Sequence, residues 1–126
     1  MSFMKSDFSG KTALVIGGSG GIGAAVSVEL GRLGAELVVH GGRSEERLSG
    51  TVSAVRAAGG KARGFLLPLD GLTAPEAVPL LLAELPRPDI LVCAWGDFFC
   101  KGLRFTRPED WERAVFSNLI LPGALV

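Results

Sequence analysis

The run Ala13-Leu14-Val15-Ile16 leads directly into Gly17-Gly18-Ser19-Gly20-Gly21-Ile22-Gly23, so four apolar residues are followed by five glycines in seven positions. An unbroken apolar run of this length reads as a strand covered on both faces, the pattern of a parallel sheet. Without a Cβ, the glycines form a turn in which backbone can approach a ligand closely. From Ile22 to Leu33, Ala, Val and Leu recur at helical spacing, so the glycines sit where a strand ends and a helix begins. Unpaired N–H groups and the positive end of the helix dipole make an anion site there, and a dinucleotide pyrophosphate suits it. Gly18-x-Gly20-x-x-Gly23 fits the G-x-G-x-x-G spacing, and Gly17-x-x-x-Gly21-x-Gly23 fits a second one. Glycine spacing alone is a weak signal, but here it has the strand–turn–helix setting the motif requires. The competing reading is a flexible glycine loop without a ligand. A P-loop is excluded, because no Lys-Ser or Lys-Thr follows the glycines.

The rest of the chain repeats the alternation. A first helix from Gly21 to Leu33 is stopped by Gly34, and Glu36–His40 is a second strand. Ser44 is placed to cap a helix from Glu45 to Ala58 with Leu48, Val52 and Val55 on one face. Gly64–Leu69 reads as a third strand that ends at Asp70-Gly71. Thr73-x-x-Glu76 is a capping box opening a third helix through Leu85, with Pro79 inside it. Asp89–Ala94 is the fourth strand, and a long loop from Trp95 to Phe105 carries the pair Phe98-Phe99. Thr106-x-Pro108-Glu109 is a second capping box, opening a last helix whose Trp111, Val115, Leu119 and Ile120 are expected to face inward.

Strands alternating with helices imply right-handed crossovers and a parallel sheet with helices on both faces. The expected fold is α/β, a Rossmann-like doubly wound sheet in three α/β/α layers with strand order 3-2-1-4. No linker or repeat interrupts the series, so residues 1–126 are read as a single dinucleotide-binding domain. The fourth strand is an open edge in this order and the last helix is bare on one side, so a homo-oligomer is expected.

Composition removes several classes. Thirteen basic and 13 acidic side chains give no footprint for nucleic acid and no polybasic patch for a membrane surface. No apolar run approaches the roughly 18 residues of a membrane span, and the N-terminus lacks a signal-peptide pattern. Cys93 and Cys100 are the only cysteines and His40 the only histidine, so no metal site is expected and the cysteines are read as buried apolar residues. A cytoplasmic protein is the expectation.

Arg43 is the most informative single side chain. An acid at the end of the second strand would accept hydrogen bonds from the adenosine ribose of NAD. Arg43 instead offers a guanidinium fork suited to the extra phosphate of NADP. A charge-assisted contact is worth about 1.5–3 kcal/mol, or roughly 10- to 150-fold in preference. The alternative is a solvated loop arginine near a helix start. Ser19 either bonds a phosphate or ends the strand, and His40 reads as a strand-end packing residue rather than a catalyst. Phe98 and Phe99 belong either to a substrate side or interface, or to a plain apolar cluster.

These residues resemble the short-chain dehydrogenase/reductase family over almost the whole chain. Val15-Ile16-Gly17-Gly18-Ser19-Gly20-Gly21-Ile22-Gly23 is similar to its Thr-Gly-x-x-x-Gly-Ile-Gly signature, with Ile16 for Thr. Leu69-Asp70 resembles the segment whose Asp contacts the adenine. Asp89-Ile90-Leu91-Val92-Cys93-Ala94-Trp95-Gly96 resembles Asp-Ile-Leu-Val-Asn-Asn-Ala-Gly, with Cys93-Ala94-Trp95 departing from it. Thr106 to Leu119 is similar to the stretch that ends in the family's Asn-Leu. The resemblance implies an NADP(H)-preferring oxidoreductase of a carbonyl or alcohol, with NAD disfavoured. It implies cofactor contacts at Gly17, Ser19, Gly20, Gly21, Ile22, Gly23, Arg43, Asp70, Gly71, Ala94 and Gly96. It places Asn118 at the family's proton-relay position, and Trp95 where a small residue adjoins the nicotinamide ribose. The family's catalytic Ser and Tyr-x-x-x-Lys have no counterpart, since the 126 residues contain no Tyr. The expectation is a cofactor-binding portion, truncated relative to the family and inactive as given. The alternative is a non-catalytic nucleotide-binding or regulatory module. A methyltransferase is disfavoured, because His40-Gly41-Gly42-Arg43 lacks the ribose-binding acid.

Overall fold

β1 (Thr12–Ile16) is buried from Ala13 onward because it feeds two apolar layers at once. The computed structural model describes residues 7–97 and 100–126. Ala13 and Val15 point into a cluster with Leu37, Val39, Leu48 and Val55. Leu14 and Ile16 point the other way, onto Val38, Leu69, Leu81 and Leu121. An aliphatic side chain fully withdrawn from water contributes about 1.5–3 kcal/mol, so a strand with apolar residues on both faces settles at the sheet's centre. Around it run β2 (Glu36–Gly41), β3 (Lys61–Leu66) and β4 (Ile90–Cys93). All pairings are parallel and the order is β3-β2-β1-β4, as the sequence predicts.

The crossovers are α1 (Gly21–Arg32), α2 (Glu45–Ala57) and α3 (Ala74–Ala83). Ser44 caps α2 by accepting from the Arg47 N–H at 3.2 Å, and Leu48, Val52 and Val55 are buried together. Thr73 and Glu76 form the expected capping box, the Thr73 N–H donating to Glu76 Oε2 at 2.8 Å. After β4 come α4 (Pro108–Val115), a π-helical turn over Phe116–Ile120, and α5 (Leu121–Leu125). No helix among the described residues is long and apolar enough to cross a membrane.

Several expectations are corrected. α1 packs on the sheet through Gly23, Ser27 and Gly31, while Ile22 is exposed; small residues four apart let the helix axis approach the strands. β3 starts three residues earlier than its apolar run suggests. It is an edge strand, its register follows β2 from Glu36 opposite Lys61 to Gly41 opposite Leu66, and the ladder ends at the Leu67 N–H bond to Gly41 O because Pro68 has no N–H. The second capping box closes one residue later than predicted. Thr106 Oγ1 is engaged by donating to Gly102 O, and the Arg107 N–H donates to Asp110 Oδ2 at 3.0 Å.

The inward face of the last helix is also different. Trp111, Val115, Leu119 and Ile120 are exposed, while Ser117 and Leu121 are buried. Cys93 and Cys100 are exposed as well. Cys93 ends β4, the last strand on that side of the sheet. Phe98 and Phe99 fall outside the described residues.

Candidate cofactor-binding site

The turn between β1 and α1 is closed by two tethers to a single residue. The Gly17 N–H donates to His40 Nδ1 at 3.1 Å, and the Gly18 N–H donates to the His40 carbonyl at 2.8 Å. Gly17 takes φ +75°, in the left-handed region open to glycine. Gly23 makes the tightest approach, since a methyl group there would lie 2.1 Å from the Gly17 carbonyl oxygen. Beyond the tethers, the amides of Ser19, Gly20, Gly21, Ile22 and Gly23 have no hydrogen-bond partner among the described residues. No side chain caps the helix at Gly20, and the space around a Cβ at Gly20 or Gly21 is open. Ser19 is half-buried within the turn, and Ile22 stands 78% exposed on the first turn of α1. A helix start with unpaired amides in open space is built to take an anion.

His40 is fully buried. Its Nε2 lies 2.8 Å from the Leu67 carbonyl, and its ring packs at a tilt on Phe65. A carbonyl only accepts and a backbone N–H only donates, so the imidazole is neutral with its proton on Nε2. Burial holds its pKa below the ordinary 6.5, against a smaller upward pull from the bond to Leu67.

Across the strand ends lies a cleft of about 340 Å³ whose lining includes Arg43, Asp70, Gly71, Trp95, Asp97 and Arg113. Arg43 and Asp70, which the sequence reading assigned to separate parts of a ligand, are paired here. Arg43 Nε donates to Asp70 Oδ2 at 3.0 Å and Nη2 donates to the same oxygen. Gly71, at φ +79°, has open space around it. Trp95 lines the cleft rather than filling the turn: its ring meets Phe116 edge-on with centroids 6.1 Å apart, and its backbone packs on Gly17.

The loop after β4 is fixed to the π-helical turn by a polar cluster. Ala94, half-buried, donates its N–H to Ile16 O at 2.8 Å. The Asp97 N–H donates to Ser117 Oγ at 2.8 Å, and Asn118 Nδ2 donates to Asp97 O at 3.1 Å and Ala114 O at 3.0 Å. A methyl group on Gly96 would sit 2.5 Å from Asn118 Oδ1. Arg113 Nε adds a bond to Asp97 Oδ2 at 3.1 Å. Asn118 therefore acts as a brace between helix and loop, and the break in the helix that its position suggests is the π-helical turn. Asp97, Arg113, Ser117 and the double bonding of His40 were not singled out from sequence. A histidine adjoining glycines at a strand end was the available signal for the last of these.

Residues 11–120 match the family model described as short chain dehydrogenase. The chain is 34% identical over 114 residues to the 3-oxoacyl-[acyl-carrier-protein] reductase FabG of Rickettsia bellii, covering 90% of this chain and 44% of that protein. It is 46% identical over 111 residues to the short chain dehydrogenase/reductase nsrJ of Aspergillus novofumigatus, covering 86% and 41%. The chain thus spans less than half the length of these relatives. Among solved structures, a metagenomic short-chain oxidoreductase in complex with NADP superposes with TM-score 0.78 at 34% identity, covering 94% of this chain and 54% of that one. A 3-oxoacyl (acyl-carrier-protein) reductase from Agrobacterium tumefaciens with NADP bound gives TM-score 0.83 at 26% identity, covering 98% and 48%.

Proposed function

The chain belongs to the short chain dehydrogenase family, and on that premise we propose that its residues bind NADP(H), in preference to NAD(H), as the cofactor portion of an oxidoreductase of a carbonyl or alcohol. The observation that carries this reading is the row of unpartnered amides from Ser19 to Gly23 at the uncapped start of α1. Gly17, Ser19, Gly20, Gly21, Ile22 and Gly23 would hold the pyrophosphate side. Arg43, Asp70 and Gly71 would hold the adenosine end, and Ala94 and Gly96 would line the approach to the nicotinamide. The exposed Ile22 fits such a role, because an apolar ligand surface would cover it. The two NADP complexes among the structural neighbours support the cofactor class.

Arg43 supports the preference for NADP. Its pairing with Asp70 is largely exposed, and exposed ion pairs contribute about 0–1 kcal/mol. A charge-assisted contact to a phosphate is worth about 1.5–3 kcal/mol, so the phosphate wins the guanidinium. NADPH, when bound, would supply a hydride, and the residues described here would bind and orient it. The proton-exchanging Tyr implied by the resemblance is not among these 126 residues, so their own proposed activity is binding without turnover. Self-association through the β4 side and a cytoplasmic location belong to the proposal too.

Titration with NADP and with NAD, followed by Trp95 fluorescence, tests the reading. NADP should bind roughly 2- to 150-fold tighter, the phosphate contact less the Asp70 pairing it replaces, and Arg43→Ala should remove that margin while sparing NAD. Equal affinities for the two cofactors would end the role given to Arg43. Failure of either to bind would end the cofactor assignment. NADP binding by a full-length protein that reduces no carbonyl would favour a nucleotide-binding or regulatory module without catalysis.

A further inference from the structure

His40 is wholly enclosed, yet both ring nitrogens are engaged and neither serves a cofactor contact assigned above. We propose that His40 is a positioning residue that fixes the Gly17 peptide through Nδ1 and thereby holds the free amides of the turn in the orientation that receives a pyrophosphate. The inference rests on the cofactor reading for its consequence, though not for its geometry.

Residue 40 holds both leading glycines of the turn, Gly17 by its ring and Gly18 by its carbonyl. Glycine peptides rotate more freely than any others, so a turn of this composition keeps one shape only if something outside it imposes that shape. Trp95 closes one side of Gly17, its backbone nitrogen lying 2.7 Å from where a Cβ would stand. The imidazole closes the other. The ring is itself held by the Leu67 carbonyl at 2.8 Å and by Phe65, 5.4 Å away between centroids. The C-terminal ends of β1, β2 and β3 thus meet at a single side chain. The bond to Leu67 alone would serve only packing. The bond to Gly17 connects that packing to the amides that await a ligand.

Three substitutions separate the two bonds. The side-chain oxygen of Asn falls near the position of Nδ1, the amide nitrogen of Gln falls near Nε2, and Phe keeps only the ring. His40→Asn should bind NADP within about threefold of the parent, whereas His40→Gln and His40→Phe should bind about tenfold more weakly or worse, because the Gly17 N–H loses its partner and the turn its tether. Exchange of the Gly17 amide proton, read by NMR without cofactor, should stay slow in His40→Asn and quicken in the other two. Should the parent bind no NADP, the cofactor reading fails, and the exchange pattern still decides the role of His40. Equal binding and equal exchange in His40→Asn and His40→Phe would overturn the proposal. Where a variant does not fold, the nitrogen resonances of the parent imidazole decide: protonated Nε2 with bare Nδ1 is expected, and the reverse tautomer overturns it.

Discussion

The two sides of β1 obey the same local rules and reach different outcomes. On the β2 side, Leu37, Val38, Val39 and His40 are all buried and α2 turns its three apolar side chains inward. On the β4 side, Ile90, Leu91 and Val92 are only half-buried. There Trp111, Val115 and Leu119, spaced four apart, form an outward stripe exposed by 55%, 43% and 67%. Helical spacing identifies which side chains share a face, and it is silent on what covers that face. The chain docks there instead through Ser117, Asn118 and Leu121, leaving the stripe exposed among the described residues.

The comparison is broken most directly by truncating a leucine on each side. Leu37→Ala on β2 should cost about 2–5 kcal/mol in urea unfolding, since Leu37 is buried. Leu119→Ala should change stability by no more than about 0.5 kcal/mol. A large cost at Leu119 would mean that the stripe is covered in solution. Next in size is Gly23→Ala, where the new methyl would strike the Gly17 carbonyl at 2.1 Å. Backbone cannot swing aside as a side chain can, so overpacking of about 1–3 kcal/mol should accompany loss of NADP binding. Retained binding in Gly23→Ala would show that the turn tolerates another shape.

The β2 side was legible because its structure is local. The apolar run into glycines, the Ser44 cap and the Thr73–Glu76 box each involve residues within a few positions of one another. What sequence concealed depends on pairing across distance. The start of β3 is set by hydrogen bonds to β2 rather than by the apolar run Phe65–Leu69. Arg43 and Asp70 lie 27 residues apart, and so do His40 and Leu67. Asn118 was placed at a relay position by resemblance, but its bond to Asp97 requires the loop after β4 to fold back. The inward face of α4 failed for another reason: helical spacing puts Trp111, Val115 and Leu119 on one face, and spacing does not say whether that face is covered, which here it is not among the described residues.

A smaller effect sharpens the reading of the stripe. Trp111→Glu should leave monomer stability within about 0.5 kcal/mol while abolishing any self-association seen by sedimentation. If the parent associates and Trp111→Glu associates equally, the stripe is not the contact.

The smallest effects lie in the acid response, where the two sides separate by pH. His40 is neutral when folded and its pKa is depressed by burial. From 6.5 downward the unfolded chain takes up a proton that the folded one refuses, so stability declines with falling pH until the folded pKa is passed. Asp89 stands at the seam to β4, accepting from the Thr12 N–H at 2.8 Å and Thr12 Oγ1 at 3.1 Å. Those bonds hold its carboxyl below the ordinary 3.8. Its contribution is complete above that value and disappears as pH falls through the lowered one. Stability should therefore fall with pH in two steps, the first absent in His40→Asn and the second reduced in Asp89→Asn. Glu76 and Asp110 are lowered in the same direction, so the second step shrinks without vanishing. An unchanged first step in His40→Asn would mean that another group produces it and that burial of His40 does not set the acid response.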